Sequence, residues 1–148
     1  MEHDTHCPIA FGLNHFGDRW TLLIVRDLLL KGKRQFSEFL DGGEGIATAV
    51  LTDRLQKLEK AGLVIAKAGT GRGNPWYYSL TAKGKDLLPV MVEMILWSAK
   101  HDRKTAAPSA WVRRARKAMT TSKARKDFLL ELLNEAVERP SNTAADEL

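Results

Sequence analysis

The chain has 148 residues, 44% of them hydrophobic and 28% charged, which is enough for one domain with a real core. A formal net charge of +5 and a pI near 9.5 favour an anionic partner without identifying one. One cysteine excludes an internal disulfide framework, and no apolar run approaches the ~20 residues of a membrane-spanning helix. The opening MEHDTHCP lacks a basic segment followed by an apolar stretch, so a cytoplasmic protein is expected.

Pro8 begins an apolar pattern of Ile9, Ala10, Leu13 and Phe16 that suits a first helix, with Pro tolerated in the opening turn. Gly17 ends it, and Asp18 is a cap for the next helix. In DRWTLLIVRDLLLKG, Trp20, Leu23, Ile24, Asp27 and Leu28 mark one side, with Leu30 close by. Asp27 makes that side imperfect, and Gly32 is a stop signal. Phe36, Phe39 and Leu40 predict a brief third helix closing at Asp41-Gly42-Gly43.

The fourth helix is predicted from about Ala47 to Ala61, with Leu51, Leu55 and Leu58 as its buried seam. A strand over Leu63–Lys67 and a return strand over Trp76–Ser79 flank AGTGRGN, whose glycines suit a hairpin tip. Thr81 is expected to cap one long helix running to about His101, kinked by Pro89. Arginines and lysines dominate 102–126, and acids dominate from Asp127 onward. Phe128, Leu129, Leu132, Leu133 and Val137 suggest an amphipathic last helix, with PSNTAADEL as a frayed tail.

A helix followed by a basic hairpin is the order of a winged helix-turn-helix, whose second helix can enter a DNA major groove. The fold class expected is therefore α+β, mostly helical, with a two-stranded wing and a C-terminal helical extension. Residues 1–101 would form the winged-helix and dimerisation domain, 102–139 the extension and 140–148 a tail.

Thr48, Ala49 and Thr52 are small enough for base edges, and Gln56 or Lys57 would follow along the groove. Arg72 at the hairpin tip suits a minor groove or a phosphate, and Arg19 and Arg34 are candidate phosphate contacts. Arg54 has two readings, phosphate binding or pairing with Asp53, Glu59 or another acid.

The strings CPIAFGLNHFGDRWTLLIVRDLL, RQFSEFL, GIATAVLTDRLQKLEKAGLV and YYSLTAKG, in that order, resemble the HxlR family of bacterial winged-helix regulators, related in architecture to MarR-type regulators. The resemblance spans roughly residues 7–101. It implies a homodimer, joined through the first helix and the long helix after the wing, that binds a roughly palindromic operator. It implies groove contacts from Thr48, Ala49 and Thr52 and contacts from Arg72 and Arg34. The Gly-rich wing tip and the extension after His101 depart from the family pattern.

Cys7 stands where some members carry a redox-sensing thiol, beside a helix N-terminus and near His6 and His15. A half-buried interface residue is the plainer reading. His3, His6 and Cys7 lack a convincing fourth ligand, so no metal site is expected. GTGRG is followed by strand, not by the helix a phosphate-binding loop requires. No Ser-His-Asp or paired-carboxylate arrangement is arguable from spacing, so neither an enzyme nor a cofactor is expected.

The expected function is a dimeric, repressor-type, sequence-specific DNA-binding regulator, with double-stranded DNA as partner and a small-molecule or oxidant effector. The rival is a winged-helix module that binds protein through the same helix.

Overall fold

A computed structural model describes residues 6–138; His3, residue 139 and the expected tail at 140–148 lie outside the described residues. The helices are α1 (Pro8–Phe16), α2 (Thr21–Leu30), α3 (Phe36–Leu40), α4 (Thr48–Lys60), α5 (Ala82–Lys85), α6 (Leu88–His101), α7 (Ser109–Ala118) and α8 (Ser122–Glu138). Between α4 and α5, β1 (Val64–Ala68) and β2 (Trp76–Leu80) form one antiparallel pair. The chain is a mostly helical α+β winged helix-turn-helix, as its residue pattern predicts.

Local chemistry explains most boundaries. Pro8 sits in the first turn of α1, where a missing N–H costs nothing, and Gly17 closes the helix with its N–H on the Leu13 carbonyl. Asp18 serves α2 as expected, although the helix proper begins at Thr21. Its carboxylate accepts from the backbone N–H of Trp20 (2.8 Å) and Thr21 (3.1 Å) and from the Thr21 hydroxyl. Glu38 closes the start of α3 by accepting from the backbone N–H groups of Arg34 (2.7 Å) and Gln35 (2.8 Å).

The long helix expected after Thr81 is instead two. Thr81 caps α5 through Gly84 N–H, the chain turns at 86–87, and α6 starts afresh with Pro89 in its first turn. Pro89 has no N–H for a continuous helix, whereas a new N-terminus has no use for that donor. Gly84 also has to be glycine. A β-carbon there would lie 2.1 Å from the Leu63 carbonyl oxygen, so α5 packs directly on the start of the wing.

The core runs without interruption from the helix-turn-helix into the extension. Leu28, Leu51, Leu55, Leu58, Leu88 and Val92 share one buried cluster with Ala115, Phe128 and Leu132. α2 is the centre of this cluster, packed by α6, β2 and α8. Covered on several sides, it buries Val25 and Leu29 as well as the expected Ile24 and Leu28, while Trp20 and Leu23 are only half-buried. In α8, Ala136 is buried and Val137 is 73% exposed, reversing the expectation for that last turn. Trp111 packs against Phe128 with ring centroids 5.9 Å apart, which joins α7 to α8. No described helix is long and apolar enough to cross a membrane.

Candidate nucleic-acid interface

Leu51, Leu55 and Leu58 are spaced to fall on one side of α4, and all three are buried. That packing leaves Thr48, Ala49, Thr52, Gln56 and Lys57 exposed on the outside. Ala47 at the N-cap offers no side-chain acceptor and the first turn holds no acid. The opening N–H groups therefore keep the positive end of the helix dipole for an anion. Thr52 donates its hydroxyl to the Thr48 carbonyl at 2.9 Å, which leaves its methyl and its oxygen lone pairs for an outside partner. Lys57 is held 3.0 Å from Asp53, one turn earlier.

The wing follows this helix in the chain. Its register pairs Val64 with Leu80 and Ala68 with Trp76, and the Gly69 N–H closes the tip on the Pro75 carbonyl at 2.8 Å. Arg72 is exposed at the tip, and Lys67 adds a second exposed cation on β1. No acid occurs between 63 and 81, so the wing surface is uniformly non-negative. Lys67 and the half-exposed Trp76 carry no sequence signal beyond their places in the two short strands. The wing is tied to the helix-turn-helix, because Tyr78 donates its N–H to the Arg34 carbonyl at 2.8 Å and Gln35 bridges Tyr77.

The guanidinium of Arg34 is engaged within the fold. Its Nη1 donates to the carbonyls of Leu28 (2.7 Å) and Lys33 (2.8 Å), and its Nη2 donates to the carbonyl of Ala136 (2.8 Å). Burial lowers the pKa of this guanidinium, with Glu38 acting in the opposite sense. Arg34 clamps the end of α2 to the end of α8, a structural role beside the phosphate contact expected of it. Sequence spacing could not reveal this, because Ala136 is 102 residues away.

Arg54 is also engaged. Its Nε lies 2.9 Å from Asp18 and its Nη1 is 2.5 Å from Asp53. Of the two roles open to Arg54, the structure shows pairing. Asp18 thereby joins the cap of α2 to the middle of α4. Burial works against the Asp18 charge, but hydrogen bonds from Thr21 and Trp20 and the charge of Arg54 prevail and hold its pKa below the usual value. Arg19 remains exposed, with its guanidinium 5.4 Å from the centroid of the Trp20 ring.

Cys7 is exposed at the N-cap of α1. It lines a cavity of about 870 Å³ between α1 and α4, together with His6, His15, Arg54, Lys57 and Lys60. The thiol and part of α4 thus line the same cavity.

The sequence model of the HxlR-like helix-turn-helix family matches residues 15–106. The chain belongs to that family. It is 37% identical over 101 residues to the uncharacterized HTH-type transcriptional regulator YvaP of Bacillus subtilis, covering 68% of this chain and 93% of that protein. It is 34% identical over 88 residues to the uncharacterized HTH-type transcriptional regulator sll1512 of Synechocystis, covering 60% of this chain and 64% of that one.

Among solved structures, the redox regulator HypR in its oxidized form superposes with a TM-score of 0.60 at 29% identity, covering 67% of this chain and all of HypR. The reduced form of the transcriptional regulator YodB from B. subtilis superposes with a TM-score of 0.55 at 28% identity, covering 67% of this chain and 97% of YodB. The family is one of helix-turn-helix transcriptional regulators, not of enzymes. Its matched region ends before α7, so α7 and α8 lie outside the family match.

Proposed function

We propose that the protein is a homodimeric, sequence-specific DNA-binding repressor that recognises a roughly palindromic operator. The observation that carries this reading is the exposed, uncapped leading edge of α4, where Thr48, Ala49 and Thr52 face outward from a leucine seam. Side chains of that size let a helix approach base edges, while Gln56 and Lys57 follow along the backbone. Arg72 and Lys67 on the wing, with Arg19 near the start of α2, supply the cations that give salt-dependent affinity. Arg34 and Arg54 act indirectly, by holding α2, α4, α8 and the wing in one arrangement.

The dimer reading rests on apolar surface. Ile9, Phe11 and Leu13 on α1 are 71%, 61% and 58% exposed, and Met94 and Trp97 on α6 are 51% and 67% exposed. Large apolar side chains grouped on two helices mark an association surface. Two copies joined there would present two α4 helices to successive half-sites.

Cys7 belongs to this reading as an oxidant-responsive thiol. It is exposed, it occupies the N-cap position of α1, and its cavity reaches α4. The name of HypR, a redox regulator among the structural neighbours, supports the same role. Oxidation would shift the geometry of the pair and so the spacing of its two recognition helices.

Retention of mixed genomic fragments, with and without mild oxidant and over a range of salt, tests the whole reading. Selective retention with a steep salt slope is expected, weakened by oxidant in the native chain but not in Cys7→Ser. Retention without sequence preference would leave the protein-binding rival in its place.

A further inference from the structure

We propose that a cavity between α2, α6 and the segment leading into α7 binds a small apolar carboxylate, and that its carboxylate draws Arg26 away from Glu44. The inference rests on the DNA-binding reading for its consequence and deepens it by naming an effector class. The cavity holds about 260 Å³. Drug-sized ligands occupy pockets of roughly 300–1,000 Å³, so the occupant here is smaller and compact. Leu22, Leu30, Met91 and Ile95 give it apolar walls, and Thr105 and Ala107 contribute from beyond the helix-turn-helix. Arg26 is the one charged residue among the described residues that line it.

Arg26 also controls the turn that leads into α4. Its Nη1 donates to Glu44 at 2.8 Å, and its Nε and Nη2 donate to the buried Asp27 at 2.9 Å and 2.7 Å. Lys33 meets the other Asp27 oxygen at 2.9 Å. Glu44 lies between Gly43 and Gly45, just ahead of Ala47, so this ion pair anchors the entry to the recognition helix onto α2.

The groups around this cluster are Arg19, Arg26, Lys31 and Lys33 against Asp27 and Glu44. That excess of positive charge suits a monoanion. Asp27 is buried 5% exposed between Arg26 and Lys33, whereas Glu44 is an exposed partner whose place another carboxylate can take. A ligand with its body in the cavity and its carboxylate on Arg26 displaces Glu44, and the turn before α4 loses its tie to α2. Ligand and operator then bind with opposed preferences.

The test uses cyclohexanecarboxylate and its neutral counterpart cyclohexanecarboxamide with the full chain, first without DNA. Calorimetric titration should show the carboxylate binding and the amide failing to bind. Glu44→Gln should bind the carboxylate severalfold more tightly, since its competitor for Arg26 is weakened. Ala107→Phe, which fills the cavity, should lose binding while keeping the circular dichroism of the native fold. Equal behaviour of acid and amide, no binding at millimolar acid, or unchanged affinity in Glu44→Gln would each overturn the proposal.

On operator fragments the acid should weaken native binding by about tenfold, within the usual range of coupling between sites. Binding of the acid with unaltered operator affinity would overturn the coupling. Failure of the chain to select any DNA in ligand-free buffer would sink the DNA reading instead, leaving the calorimetric result to judge the cavity.

Discussion

Arg34 lies half-buried with its guanidinium on the carbonyls of Leu28, Lys33 and Ala136, whereas Arg72 stands exposed at the wing tip. The same side-chain chemistry therefore has opposite consequences at the two positions. Arg34→Ala removes the donor from three part-buried carbonyl contacts and should cost about 1–3 kcal/mol in urea unfolding. The variant that still folds should keep its salt slope for DNA. Arg72→Ala should change stability by less than about 0.5 kcal/mol, yet lower the slope of log affinity against log salt by about 0.9 for one lost phosphate contact. If Arg34→Ala flattened the slope and Arg72→Ala did not, the assignments would have to be exchanged. Both arginines were visible in the sequence as cations near helix-turn-helix elements. Only the return of α8 to the end of α2 separates them.

At the scale of elements, Asp18 joins two helices that the sequence presents as separate. It caps α2 and pairs with Arg54 on α4. Asp18→Ala should cost about 1–2 kcal/mol, the upper part of the range for a lost cap, because an ion pair to α4 goes with it. The pH dependence has a definite sign. Asp18 and Glu44 both titrate below their ordinary values of 3.8 and 4.5 in the folded state. For Asp18 burial opposes this and is outweighed by hydrogen bonds, whereas the Arg26 hydrogen bond leads at Glu44.

A carboxyl with a depressed folded pKa contributes stability that is fully present well above its unfolded value. That contribution is lost as pH falls through the folded value. Unfolding free energy should accordingly drop on acidification below about pH 4.5, and Asp18→Ala should show a shallower drop in a urea series over that interval. An identical acid limb in the variant would exclude Asp18 from the effect. The helices themselves were readable because capping and apolar spacing act over a few residues. The break between α5 and α6 is not legible as such in the sequence, since Pro89 is compatible with an interior bend and with a new first turn alike.

For the molecule as a whole, the core does not stop where the family match ends. Phe128 and Leu132 of α8 lie in one cluster with Leu28 of α2 and Leu51 of α4. Leu132→Ala should therefore destabilise the entire protein by about 2–5 kcal/mol and keep a single unfolding transition. Two transitions in calorimetry would show that the extension unfolds as a separate unit. The apolar residues left on α1 and α6 belong to the same scale, since nothing among the described residues covers them. Replacing Trp97 with Glu should shift sedimentation toward a monomer and reduce operator affinity, with little effect on helical content. An unchanged sedimentation profile would remove Trp97 from the proposed dimer surface.

Taken by itself, the order of residues determined the winged helix-turn-helix, the leucine seam of α4 and the outward set of Thr48, Ala49 and Thr52. Each of these follows from periodicities of two or 3.6 residues and from turn chemistry, which are local. Tertiary structure decided which cations remain exposed, how α2 came to be covered on several sides, and that Arg26 faces both a cavity and the turn before α4. Those outcomes depend on contacts between residues far apart in the chain, where a charge or an apolar side chain finds a partner that no local pattern encodes.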